Sequence, residues 1–289
     1  MSRLANRPFA RMNGCGNAII VLDLRGADIA VTPDEARAIA RAPGLAYDQL
    51  MALYDSGAAG VTAAMKIFNN DGSLSAACGN GTRCVAYMLM RDTPLRELAL
   101  KSDAGVLACT RDGELRFTVD MGTPRLHWWE IPLREAARDT ACVRLHGEDL
   151  PPAFREFAAV NMGNPHAVFF VADAGAVDLA IWGARLEADS LFPEKANISF
   201  AQAVARDRVI LRVWERGAGA TLACGTAACA TLVSGVRKNL TDRKAVISLP
   251  GGDLGVEWRA TDDHVLMSGP VELEFEGRFD PAIFDREKL

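Results

Sequence analysis

Cys78-Gly79-Asn80-Gly81 and Cys224-Gly225-Thr226-Ala227 stand 146 residues apart (224 − 78) in a chain of 289, so one short motif recurs after half the length. Other landmarks keep nearly the same offset: Gly16-Asn17 recurs as Gly163-Asn164, Gln49 is matched by Asn197, Asn69 by Glu215, and Met121-Gly122 by Met267-Ser268-Gly269. Turns often use Gly-Asn and Cys-Gly, so any single match carries little weight. Matches in order at a constant spacing of about 147 residues instead mark a duplicated unit. A duplication limits the fold to two copies of one arrangement related by an approximate two-fold axis.

The local patterns identify that arrangement as α/β. Segments 18–22, 61–68, 106–110, 115–119, 168–171, 209–213 and 245–249 are short and apolar, bounded by Gly, Asp or Asn, and are expected to be strands. Segments 82–90 and 226–236 are rich in Ala, Val, Leu and Met without a polar stripe, as expected of helices buried on all sides. Each half should wrap a mainly antiparallel or mixed sheet around one central helix. The expected domains are residues 1–125 plus 271–289, and residues 126–270. Residues 271–284 fall past the second copy and should return to the first domain's sheet. The segment from His127 to Pro152 carries no Gly/Ser linker, so the halves are expected to pack firmly.

Composition excludes several function classes. The chain is 49% hydrophobic, with 32 Lys+Arg against 37 Asp+Glu and a net charge of −5, and its basic residues are scattered. That balance fits neither a nucleic-acid groove nor an anionic membrane surface. The N-terminal stretch has no apolar export core, and no apolar run approaches the roughly 18 residues of a spanning helix, so the expected location is the cytoplasm. Seven cysteines are an odd number and are expected to be thiols. Neither Cys78 with Cys84 nor Cys224 with Cys229 has zinc-knuckle spacing, so no metal site is expected. Cys84 and Cys229 are expected to be small buried apolar residues.

A cysteine directly before a helix, flanked by glycine, places its sulfur over the first unpaired backbone N–H groups. That position is expected to lower the thiol pKa from its ordinary value of about 8.5. Gly79, Asn80, Gly225 and Thr226 offer backbone donors to an anion such as a carboxylate. Two copies related by symmetry would set Cys78 and Cys224 on opposite walls of a cleft between the domains. Two acid/base groups on opposite sides of one small anion suit a racemase or epimerase, in which one thiolate takes the Cα proton and the opposite thiol returns one. Asn17, Asn69, Asn164 and Asn197 lie at turns or strand ends. Glu215-Arg216 closes a strand ahead of Cys224, ready for an ammonium and a carboxylate. His166 is placed to tune a thiol or to be a buried structural histidine.

These motifs, with Phe68-Asn69-Asn70-Asp71-Gly72-Ser73, Gly163-Asn164-Pro165-His166 and Leu249-Pro250-Gly251-Gly252-Asp253, resemble the diaminopimelate epimerase family over residues 11–278. The resemblance implies an isomerase that needs no cofactor and interconverts LL- and meso-2,6-diaminopimelate, on the path to lysine and peptidoglycan precursors. It implies Cys78 and Cys224 as the acid/base pair, with His166 and Glu215 tuning them. Asn17, Gln49, Asn69, Asn164, Asn197, Glu215 and Arg216 would contact substrate, joined by Gly79, Asn80, Gly225 and Thr226. The chain departs from the family's usual residues at Asn13, Ala18-Ile19 and Ala220, none of which is a proposed acid, base or anchor. The expected partner is this small substrate, and the expected assembly is a homodimer. Two other readings share the paired cysteines: a proline racemase or hydroxyproline epimerase, and a thiol redox sensor.

Overall fold

The computed structural model describes residues 2–147 and 149–285. The chain forms two compact units, Met1–Val119 with Ser268–Leu289, and Asp120–Met267.

In the first unit the chain runs β1 (Pro8–Asn13), β2 (Ala18–Asp23), α1 (Pro33–Arg41), β3 (Gln49–Tyr54), β4 (Ala63–Asn69), β5 (Leu74–Ser75), α2 (Gly79–Met90), β6 (Glu97–Ser102), β7 (Gly105–Arg111) and β8 (Arg116–Asp120). β2 lies antiparallel to β1 and parallel to β3, and β4 is antiparallel to β3 and β5 but parallel to β6. β7 then pairs antiparallel with both β6 and β8. The central strands β2 and β3 are almost continuously buried, which is why they read as unbroken apolar runs. The register places Gln49 opposite both Ile19 and Asn69, at one end of the strands. α1 starts at a capping box in which Thr32 and Glu35 satisfy each other's backbone, and Pro33 occupies its first turn.

The second unit repeats that order as β9 (Val143–Arg144), β10 (Glu156–Asn161), β11 (Pro165–Phe170), α3 (Leu179–Glu187), β12 (Asn197–Ala205), β13 (Arg208–Glu215), β14 (Gly219–Thr221), α4 (Gly225–Arg237), β15 (Lys244–Leu249), β16 (Gly252–Trp258) and β17 (Val265–Pro270). β11 is antiparallel to β10 and parallel to β12, and β13 is antiparallel to β12 and β14 but parallel to β15. β16 returns antiparallel to β15. From β10 onward each pairing has the same sense as its counterpart from β1 onward. β18 (Glu272–Arg278) belongs to the first unit and pairs antiparallel with β1.

The fold is mixed α/β and mostly sheet, with four α-helices among the described residues, in line with the expected class. Each segment expected as a strand lies in one, with ends shifted by a few residues. The segment from 168 begins three residues early because Pro165 is tolerated as the first residue of β11. α2 and α4 are the apolar helices, and α4 buries every residue from Ala227 to Gly235. Cys84 and Cys229 have no exposed surface. The first unit's core joins Ile20, Leu22, Leu50 and Phe68 to Phe279 and Phe284. The second centres on Phe154, Phe157, Phe169, Phe192 and Phe200, and also takes in Ile131 and Leu133 from the segment after His127.

Candidate active site

Cys78 is the N-cap of α2, in an extended conformation with φ −148° and ψ 101°. Its Sγ accepts from the Gly81 amide at 3.3 Å, so the sulfur sits where a capping oxygen would. Thr82 Oγ1 donates to the Cys78 carbonyl at 2.8 Å. Two glycines packed at this turn, Gly81 and Gly14, have steric reasons. A Cβ on Gly81 would lie 2.5 Å from Met51 Sδ, and one on Gly14 would lie 3.0 Å from the Asn80 carbonyl oxygen.

Amides from two strand ends face this sulfur, and a third, Asn69, meets the second of them. Asn17 Oδ1 lies 3.9 Å and Gln49 Oε1 3.6 Å from Sγ. Gln49 Nε2 donates to Asn69 Oδ1 at 3.5 Å, and Asn69 Nδ2 donates to Ser73 Oγ at 2.9 Å. Hydrogen bonds from the Ser73 hydroxyl and amide hold the exposed Asp71 carboxyl below its ordinary pKa.

Cys224 caps α4 in the equivalent place, with φ −135° and ψ 110°. It is only 6% exposed, and Thr226 Oγ1 lies 3.5 Å from its sulfur. Burial pushes this thiol well above its ordinary pKa, and the negative charge of Glu215 adds to the rise. The helix end was expected to lower it. The hydrogen bonds from Thr226 and the Ala227 amide do act in that direction, but loss of hydration outweighs them. Glu215 Oε1 also accepts from Thr221 Oγ1 at 2.5 Å.

His166 has no exposed surface, and its Nε2 lies 2.8 Å from Asn164 Oδ1. Burial, with a smaller contribution from the Arg216 charge, lowers its pKa to about 3, so the ring is neutral and its Nε2–H donates to Asn164. Asn197 donates through Nδ2 to the Pro165 carbonyl and accepts through Oδ1 from the Arg216 amide, both at 3.0 Å. The Arg216 guanidinium is exposed and donates to the Glu194 carbonyl at 3.0 Å.

Within the first unit, Asn17, Gln49 and Asn69 thus gather about Cys78 and the Gly79-Asn80 turn. Within the second, Asn164, His166, Asn197, Glu215 and Arg216 lie at the strand ends that accompany Cys224, Gly225 and Thr226. Two carboxylates escaped the reading of the sequence. Asp48 accepts from Asn17 Nδ2 at 3.2 Å and from the Ala18 amide at 2.8 Å. Glu187, at the end of α3, accepts from Trp214 Nε1 at 2.8 Å and the Gly217 amide at 3.0 Å, which fixes the turn carrying Glu215 and Arg216. Neither stands in a motif, and each acts on residues distant in sequence. Among the described residues no group of three or more His, Cys, Asp or Glu side chains could hold a metal, and no helix is long and apolar enough to cross a membrane.

The mixed-sheet architecture is like that of solved two-domain structures of a PhzF-family protein and a probable proline racemase. A solved hydroxyproline epimerase from Agrobacterium vitis superimposes with a TM-score of 0.67 over 98% of this chain and 93% of that one, at 14% identity. A phenazine biosynthesis protein of the PhzF family from Enterococcus faecalis does so with a TM-score of 0.63, over 94% and 98%, at 17% identity. At such identities the likeness is one of fold. The diaminopimelate epimerase family model matches residues 9–127 and 158–274. A diaminopimelate epimerase from Methylocella silvestris is 57% identical over 285 residues, covering 98% of each chain. The chain belongs to the diaminopimelate epimerase family.

Proposed function

We propose that this protein interconverts LL- and meso-2,6-diaminopimelate by two-base proton transfer at Cα, without a cofactor, with Cys78 and Cys224 as the acid/base pair. The observation that carries the reading is that equivalent cysteines cap equivalent buried helices in two units of identical strand pairing. The two units serve as the two epimerase domains, and each supplies one cysteine to the reaction. One cysteine, as thiolate, removes the Cα proton, and the other, as thiol, delivers a proton to the opposite face, inverting the centre. The roles exchange in reverse.

Cys224 rests as the thiol, because burial and the Glu215 charge both disfavour its anion. Glu215 is then the group that tunes this thiol. The α-proton of an amino acid is very weakly acidic, so negative charge developing toward the carboxylate must be met by fixed donors. The backbone N–H groups of Gly79, Asn80, Gly225 and Thr226 at two helix ends supply them. Asn17 and Gln49 line the reacting centre. Asn69, Asn164, Asn197, Glu215 and Arg216 take the distal amino-acid end, whose ammonium and carboxylate suit acceptors and a guanidinium respectively. His166 acts through Asn164. The enzyme works in the cytoplasm as a homodimer, supplying precursors of lysine and peptidoglycan.

Conversion of LL-diaminopimelate by reduced, chelator-treated protein, followed by chiral chromatography, tests this reading. Cys78→Ala and Cys224→Ala should each lower kcat by at least about a thousandfold, since each removes a group the other cannot replace. Conversion at the wild-type rate by either variant would overturn it.

A further inference from the structure

Two carboxylates that touch neither cysteine control what Cys78 meets. A carboxylate can only accept, so each one fixes the direction of every hydrogen bond leading away from it. Asp48 takes the Asn17 NH2 group, which leaves Asn17 Oδ1 toward the sulfur. Asp71 takes the Ser73 hydroxyl proton at 2.6 Å, so Ser73 Oγ must accept from Asn69 Nδ2. Asn69 Oδ1 is thereby left to accept from Gln49 Nε2, and Gln49 Oε1 remains for the sulfur.

We infer that Asp48 and Asp71 are positioning residues that turn the amide oxygens of Asn17 and Gln49, rather than their NH2 groups, toward Cys78. The inference rests on Cys78 acting as an acid/base in the proposed reaction. Amide oxygens accept the S–H hydrogen bond while Cys78 is the thiol, and add no further donor to the sulfur when Cys78, as thiolate, takes the Cα proton. An NH2 group in either place would add a second donor beside the Gly81 amide and weaken the thiolate as a base. The second unit shows the opposite setting at the equivalent asparagine. There the neutral His166 donates to Asn164 Oδ1, so the Asn164 NH2 group is the one left for a ligand. Asn17 thus offers an acceptor and Asn164 a donor, each fixed by a neighbour of the required polarity.

Double-mutant cycles separate positioning from mere support of the loop. Asp48→Leu should lower kcat for LL-diaminopimelate about 10- to 100-fold with KM changed less than about threefold. Asp48→Asn, whose amide oxygen can accept from both Asn17 and Ala18, should stay within about threefold of wild type. In an Asn17→Ala background Asp48→Leu should cost less than about threefold further, and Asp71→Leu should behave likewise in a Gln49→Ala background. Equal losses in both backgrounds, or Asp48→Asn as damaging as Asp48→Leu, would overturn the inference. A second readout does not depend on turnover: in NMR spectra the Asn17 side-chain NH2 protons should exchange slowly in wild type and fast in Asp48→Leu. Unchanged exchange would overturn the inference even if the substrate assignment held, and wild-type protein inactive on diaminopimelate would overturn only the latter.

Discussion

His166 stays neutral in the native protein until the pH falls to about 3, whereas in an unfolded chain a histidine takes up its proton near 6.5. Because the folded-state value is the lower one, the stabilisation is complete above pH 6.5 and is lost as the pH falls from there toward 3. The melting temperature of wild type should therefore drop between neutral pH and about pH 5 more steeply than that of His166→Gln, as read by calorimetry. Equal slopes would contradict the assignment. Cys84 and Cys109 are pushed up to about 12 by burial, so iodoacetamide at mildly alkaline pH should label the exposed Cys142 in native protein and those two only after unfolding. At this scale the cysteine motifs were legible because Cys-Gly before an apolar helix is a local signal. The rise at Cys224 was not legible, because burial and the approach of Glu215 come from tertiary structure. Asp48 was equally invisible, since its partner Asn17 lies 31 residues away and no motif joins them.

Among elements, α2 and α4 could be read because their apolar composition leaves one place for them, inside the sheet. α1 carried a legible signal, the Thr32 to Glu35 capping box behind Pro33, but its mostly charged face hid it. β3 and β12 open on the polar residues Gln49 and Asn197, so their site residues stand at the edge of the apolar pattern rather than within it. Packing at helix ends sets the tolerances. Gly81→Ala should cost about 1–3 kcal/mol in urea unfolding and lower kcat as well, because the new Cβ meets Met51 and displaces the first turn of α2. Gly183→Ala should cost a similar amount, since its Cβ would lie 2.6 Å from Trp214, and moving α3 carries Glu187 off the 215–217 turn. An unchanged midpoint in either variant would show that the neighbouring side chain yields freely.

For the whole molecule, the duplication seen as a spacing of sequence landmarks recurs as an identical succession of strand pairings in two units. The first unit takes its last strand, and Phe279 and Phe284 of its core, from the end of the chain. Deleting residues 271–289 should leave the second unit cooperatively folded and the first protease-sensitive, as read by limited proteolysis and mass spectrometry. Equal resistance of both units would contradict that dependence. The central claim is that two different groups serve the two faces of Cα. The direct measurement is the position of deuterium at low conversion when LL-diaminopimelate is turned over in D2O. Two-base transfer predicts deuterium at the inverted Cα of the meso product while the remaining LL substrate stays protiated. Deuterium appearing equally in product and recovered substrate would mean one base serving both faces, and would contradict the paired roles of Cys78 and Cys224.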